Sequence, residues 1–302
     1  VVARDKGMSK ATLVWQTKGL LRKYNIKPKK YLGQNFLIDQ GILEKIVEAA
    51  GLNEDSIVVE IGPGIGALTR ELAKIAKLVF AIELDENLVK LLRETLAPFK
   101  NIEFLHADVL KINFEELPIT NYQLPITKIK VVANLPYYIT TPILGRLLKS
   151  RDIFDEIIIM VQQEVANRMV AIPRISDYGA LSLLVQYYTR PEKAFSIPSN
   201  AFFPSPKVDS ALVKMEVLPR PAIPVKNERF FFLLVRAVFG QRRKALKNVL
   251  LQSADFNLDK NSVLAILSEA GIKPLRRGET LSLEDFGRLS DLIAEKECFR
   301  TE

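Results

Sequence analysis

The chain has little of what nucleophilic and metal-dependent enzymes rely on. It holds one cysteine, Cys298, and one histidine, His106, in 302 residues. An intramolecular disulfide is therefore excluded, and a Cys/His metal site lacks ligands. A Ser-His-Asp or Cys-His arrangement would have to take His106 as its base. No run of 18 apolar residues occurs, so no segment reads as a membrane span. The apolar patch from Ala11 to Trp15 is too short for a signal-peptide core. These absences set the expectation of a cytoplasmic protein in a reducing setting, with no metal and no membrane partner.

The chain is 48% hydrophobic and long enough for a sizeable core and more than one domain. Its net charge is +8 and unevenly placed. Residues 1–30 contain nine Lys/Arg and one acid; the remaining 34 bases and 34 acids cancel. A second basic cluster, Arg229 to Ala254, has six Lys/Arg and no acid. Either cluster alone reads equally well as a solvated surface. Two such clusters together point to a polyanion, most simply nucleic acid.

Residues 1–28 read as a basic, weakly structured arm. "DQGILEKIVEAAG" (39–51) reads as a helix capped by Asp39 and ended by Gly51. Strands are expected at 56–61, 77–84, 101–107, 128–134 and 156–162. Helices are expected at 66–76, 86–97, 141–149 and 163–170. Continuous apolar strands between helices indicate a parallel sheet covered on both faces. "LSLLVQYYT" (181–189) and "SALVKMEVL" (210–218) read as two further strands that close the sheet with an antiparallel edge. "PRPAIP" (219–224) reads as a linker, and helices follow at 228–250, 259–271 and 282–296, the last with a capping box of Ser282 and Asp285. The expected fold class is α/β, with domains 29–219 (sheet) and 220–302 (small, helical).

"EIGPGIGALT" (60–69) follows the first strand of the alternating series and opens a helix. Gly62, Gly64 and Gly66 permit a tight turn and a close approach to a ligand. Alone, G-x-G-x-x-A is a weak signal, since many βα turns satisfy it. The acids sharpen it. Glu83 closes the next strand, where a carboxylate can accept both ribose hydroxyls. Asp108 lies just past the third, placed to accept from an adenine amino group. A nicotinamide dinucleotide and S-adenosylmethionine (AdoMet) share the adenosine half, so Gly62 and Glu83 do not separate them. Glu60 ahead of the loop, and the stretch at Asn134, lean toward AdoMet.

That stretch is "KVVANLPYYI" (130–139), an apolar strand ending on an amide, a proline and two aromatic rings. An exocyclic amine such as N6 of adenine is a poor nucleophile, because its lone pair is delocalised into the ring. The Asn134 side-chain oxygen and the Leu135 carbonyl are candidate acceptors for its N–H groups. Pro136 holds its own φ and restricts Leu135. Tyr137 can stack on the base. Such acceptors favour the positive charge that develops on nitrogen during attack. The bland alternative is a proline-terminated strand with core tyrosines.

Taken together these segments resemble the ribosomal RNA adenine N6-dimethyltransferase family. The likeness covers roughly 28–290 and includes "YLGQNFLID" (31–39), "VQQEVANRM" (161–169), "YGALS" (178–182), "FFPSPKVDSALV" (202–213), "FGQRRKALKN" (239–248) and "RRGETLSLEDF" (276–286). It implies a Rossmann-like AdoMet domain with a small C-terminal helical domain. It adds Asn35 and Leu37, with Asn134, to a cofactor set of Gly62, Gly64, Glu83 and Asp108. It places the F-x-P-x-P aromatic, expected near the target base, on Phe202. The cluster Arg236, Arg242, Arg243, Lys244 and Lys247 would contact RNA phosphates. The long "FFPSPKVDS" and "FGQRRK" forms are most like the small-subunit enzyme. That implies dimethylation of two adjacent adenosines near the 3′ end of small-subunit rRNA by a monomer acting on a pre-30S particle. The alternatives are a large-subunit enzyme of the macrolide-resistance type and a non-catalytic RNA-binding assembly factor. The chain departs from the family pattern at Ala107, where glycine commonly precedes the acid, and in the length of its basic arm.

Overall fold

A computed structural model describes residues 10–29, 33–117 and 129–296. In chain order the first half comprises α1 (Lys10–Lys23), β1 (Phe36–Leu37), α2 (Gln40–Ala50), β2 (Ile57–Ile61), α3 (Ala67–Ala73), β3 (Leu78–Glu83), α4 (Glu86–Thr95), β4 (Ile102–His106), β5 (Ile129–Asn134) and α5 (Thr140–Lys149). Then come β6 (Phe154–Gln162), α6 (Gln163–Val170), α7 (Ala180–Tyr188), β7 (Thr189–Ile197), β8 (Phe202–Phe203) and β9 (Ser210–Val217). Four helices follow: α8 (Glu228–Gly240), α9 (Leu246–Gln252), α10 (Lys260–Glu269) and α11 (Leu283–Glu295).

The main sheet runs β4-β3-β2-β5-β6-β9-β7. The five strands from β4 to β6 are parallel, and β9 is antiparallel to β6. Strand β2 is the pivot: Ile57 pairs with Leu78 of β3 on one side and Ile129 of β5 on the other. The chain builds outward through β3 and β4, then crosses back to β5. Such a reversal opens a crevice at the carboxyl ends of the two central strands. Val58, Val79, Val132, Ile158 and Leu212, one from each of five strands, share a core with Leu43 and Ile46 of α2 and Leu72 of α3. Each such buried side chain stabilises the layer by about 1.5–3 kcal/mol. As expected, Asp39 caps α2 through the Ile42 N–H, and Gly51 ends it at φ 53°. Ser282 and Asp285 form the capping box of α11.

The structure corrects four readings. The arm is not weakly structured over its described part: α1 is a helix that buries Leu13, Thr17 and Leu21, four residues apart, on one side. "LSLLVQYYT" is not a strand but helix α7. Its residues are so widely buried that no polar period marks it, and Ser182 sets its start by donating to the Arg168 carbonyl at 2.5 Å. The second late strand is instead β7, a run carrying Pro191 and charges, which a sheet edge tolerates and an interior position would not. Finally, 228–250 is two helices. Between them Arg242 binds the carbonyls of Ser176 and Tyr178 at 2.7 and 2.9 Å, and the first amides of α9 donate to Arg276 and Pro274.

The chain folds as two compact units. One holds the described residues up to Ala166 with Glu192–Val217; the other holds Asn167–Pro191 with the described residues from Leu218 onward. The expected sheet domain, 29–219, therefore loses 167–191 to the helical unit, because α7 packs with α8 and α11.

Candidate active site

The carboxyl ends of β2, β3 and β5 face one cleft, lined among others by Asn35, Leu37, Glu60, Gly62, Gly64, Glu83, Asp108, Asn134 and Pro136. The glycine loop makes its floor. Gly62 and Gly64 have φ of 69° and 60°, which favour glycine. A Cβ on Gly64 would lie 2.9 Å from the Phe36 ring. Glu83 is 7% exposed and accepts the backbone N–H groups of Gly64 (3.2 Å) and Asp85 (2.9 Å). Burial raises its carboxyl above the ordinary glutamate value, and those two bonds pull it partly back.

Glu60 is more extreme. It is 1% exposed, and burial pushes its carboxyl up to about 8, with the Glu83 charge adding to the shift. Among the described residues its Oε2 has no hydrogen-bond partner. The Thr69 hydroxyl, buried beside it, draws the carboxyl partly back. The residue set fits AdoMet: a glycine loop whose backbone a ligand can approach closely, a carboxylate at the second strand end, and Asp108 at the third.

The N-terminal wall is residues 33–37. Asp85 anchors it, accepting Lys29 Nζ at 2.6 Å and Gln34 Nε2 at 3.5 Å. Its other oxygen caps α4 at the Asn87 N–H. Strand β1 is clipped to β8, with Phe36 opposite Phe203 and Leu37 opposite Phe202.

Asn134 ends β5. Its Nδ2 donates to the Asn35 carbonyl at 3.0 Å. A carbonyl can only accept, so this contact fixes the amide flip and turns Oδ1 the other way. Pro136 sits at φ −60°, and the Leu135 side chain is 1% exposed, which anchors the backbone between them.

The aromatic assignments fare differently. Tyr137 does not line the cleft; its hydroxyl pairs with Ser210 Oγ at 2.5 Å. The neighbouring Tyr138, 52% exposed, does line it. Nothing in the Tyr-Tyr pair foretold which ring would take that place. Phe202 is a correction. It is 2% exposed within the core shared by Leu37, Ile158 and Leu212, so it offers no face for stacking. Phe203 is the half-buried ring of that pair. His106 is exposed, bonded to the Leu84 carbonyl and absent from the cleft.

In the helical unit the basic cluster divides. Arg242 is committed to two backbone carbonyls, and Lys244 Nζ to Gln252 Oε1 at 2.6 Å. Arg236 and Arg243 are exposed, and Lys247 is half-buried. Arg236 borders a groove with Gln241, Ser253 and Asp255.

The sequence model described as "Ribosomal RNA adenine dimethylase" matches residues 25–293. The chain belongs to the ribosomal RNA adenine dimethylase family. It is accordingly an AdoMet-dependent methyltransferase with a Rossmann-like sheet and a helical C-terminal part. It is 47% identical to the "Ribosomal RNA small subunit methyltransferase A" of Clostridium botulinum, over 92% of this chain and 98% of that one. The enzyme of the same name from Bacillus pumilus is also 47% identical, over 92% and 95%. Among solved structures, a dimethyladenosine transferase from Plasmodium falciparum superposes with a TM-score of 0.73 at 27% identity, covering 87% of this chain and 99% of that one. The 23S rRNA methyltransferase ErmE gives 0.64 at 28%, covering 86% and 100%.

Proposed function

We propose that this member of the family dimethylates N6 of two adjacent adenosines in the 3′-terminal hairpin of small-subunit rRNA, as a cytoplasmic monomer acting on a pre-30S particle. The observation that carries the reading is Asn134: its nitrogen is committed to the Asn35 carbonyl, so its oxygen serves an amine donor at the mouth of the cofactor cleft. The preference for the small subunit is supported by relatives at 47% identity that carry that name, against 28% for ErmE.

The residues divide the work as follows. Gly62, Gly64, Glu83 and Asp108, with Asn35 and Leu37, hold the cofactor. AdoMet supplies a methyl group already activated on a sulfonium, so no strong protein base is needed, and His106, bonded to the Leu84 carbonyl, does not line the cleft. Asn134 Oδ1 and the Leu135 carbonyl accept from the target amine and favour positive charge on nitrogen. Alignment of nitrogen with the methyl group carries much of the rate gain. The target base must leave its stack, which costs a few kcal/mol; stacking on Tyr137, once its ring leaves Ser210, would return an amount of that order. Phe202 would join only after leaving the core. Arg236, Arg243 and Lys247 bind phosphates, with Arg242 and Lys244 shaping the turn that presents them.

The test is incubation with radiolabelled AdoMet and undermethylated small subunits, with large-subunit rRNA in parallel. Label as N6,N6-dimethyladenosine in the small-subunit 3′ hairpin is the expected result. Label only in large-subunit RNA would replace this reading with the ErmE-like one. RNA binding without label in either would favour an assembly factor.

A further inference from the structure

Helix α1 carries four Lys/Arg and no acid. Its Leu13, Thr17 and Leu21 are buried. On the opposite side Trp15, Lys18, Gly19 and Arg22 stand at i, i+3, i+4 and i+7, and all four are exposed. Trp15 is the chain's sole tryptophan and is 74% exposed. A single exposed apolar residue is ordinary. An indole flanked along one helix face by two cations, with no acid on the helix, is the composition of a single-strand binding surface: base stacks on ring, phosphates on cations.

The location agrees. Lys18 Nζ lies 5.1 Å from the centroid of the Phe203 ring. Phe203 pairs with Phe36, and Phe36 walls the cofactor cleft. Leu21 and Phe36 also share one buried cluster. The exposed face of α1 is thus joined to the rim of the catalytic cleft through two packed rings.

We propose that this face docks the unpaired RNA flanking the target adenosines, with a base stacked on Trp15 and phosphates on Lys18 and Arg22. The assignment rests on the rRNA substrate proposed above. It extends RNA contact to the sheet unit, separately from the basic cluster of α8 and α9.

Trp15→Ala, Trp15→Phe and Arg22→Glu would be compared with the wild type on undermethylated small subunits, by sedimentation binding and by methylation kinetics. Trp15→Ala and Arg22→Glu should each raise KM and the subunit Kd about tenfold, the range that loss of one stacked base or one ionic contact spans. Their kcat and AdoMet affinity should match the wild type, and Trp15→Phe should restore most of the loss. Because Trp15 is the sole tryptophan, its fluorescence should also be quenched by the 3′ hairpin RNA. Wild-type KM and Kd in both disruptive variants would overturn the proposal, as would a loss confined to kcat. Absence of methylation by the wild type would instead sink the substrate reading, and the binding arm would still report on the helix.

Discussion

The two walls of the cleft are finished to different degrees. The cofactor wall is complete within the protein: Glu83 holds the Gly64 and Asp85 amides, Asp85 holds the Lys29 and Gln34 side chains, and Phe36 fills the space that Gly64 leaves. The target wall has one oriented acceptor, Asn134, and rings engaged elsewhere, Tyr137 on Ser210 and Phe202 in the core. A cofactor common to every turnover meets a prepared site. On the target wall, stacking on either ring would first require breaking the Tyr137–Ser210 bond or lifting Phe202 from the core, a cost that RNA binding would have to meet.

The contrast can be broken most sharply at Asn134. Asn134→Ala should lower methylation by about 10²- to 10³-fold while AdoMet binding stays near wild type. Calorimetry beside the label assay reads both, and full activity would remove the amide from the mechanism. On the cofactor wall, Gly64→Ala places a Cβ against Phe36 at a φ of 60°. That strain of about 1–3 kcal/mol should weaken AdoMet binding by about 5- to 100-fold. The ring pair sharpens the target side: Phe202→Ala should cost about 3–5 kcal/mol in urea unfolding, and Phe203→Ala less than half as much. Equal losses would show that Phe202 is not the core ring.

A smaller effect separates the two kinds of arginine. Arg242→Ala should destabilise the protein by about 1–2 kcal/mol, a value reduced for its partial exposure. Arg243→Ala should leave melting unchanged and reduce the salt slope of RNA binding by about one. A separate effect, read by pH, concerns Glu60. An acid whose folded value is raised keeps its proton while the unfolded chain releases one. Stability therefore falls as pH rises between the ordinary glutamate value and about 8. Glu60→Gln should flatten that decline in the ligand-free protein. Melting temperatures at pH 5 and pH 8 would test it, and an unchanged decline would mean that the carboxyl is charged throughout.

Much of this was legible beforehand wherever local chemistry decides the structure. The glycine loop, the acids at strand ends and the caps of α2 and α11 are short-range signals, and the structure places them as read. The failures lie where distant partners decide. Helix α7 starts on the Arg168 carbonyl, and the break after α8 is held by Ser176, Tyr178, Pro274 and Arg276. Strand β7 was hidden because Pro191 and charges are permitted only by its edge position. Helix α1 was masked by its charge, although the Leu13–Thr17–Leu21 spacing was present. Within the site, the motif located Phe202 along the chain but could not tell which way its ring turned, and pairing across β1 and β8 settled that.

The two-residue ladder of β1 and β8 also bears on how the protein is made. The N-terminal wall of the cleft, residues 33–37, leans on Phe202 and Phe203, more than 160 positions downstream. Closing so long a loop is entropically expensive and follows the local helices and hairpins in time. A nascent chain that has exposed the glycine loop, Glu83 and even Asn134 still lacks this support. The enzyme's AdoMet pocket is therefore finished only after Phe202 and Phe203 have left the ribosome that makes it.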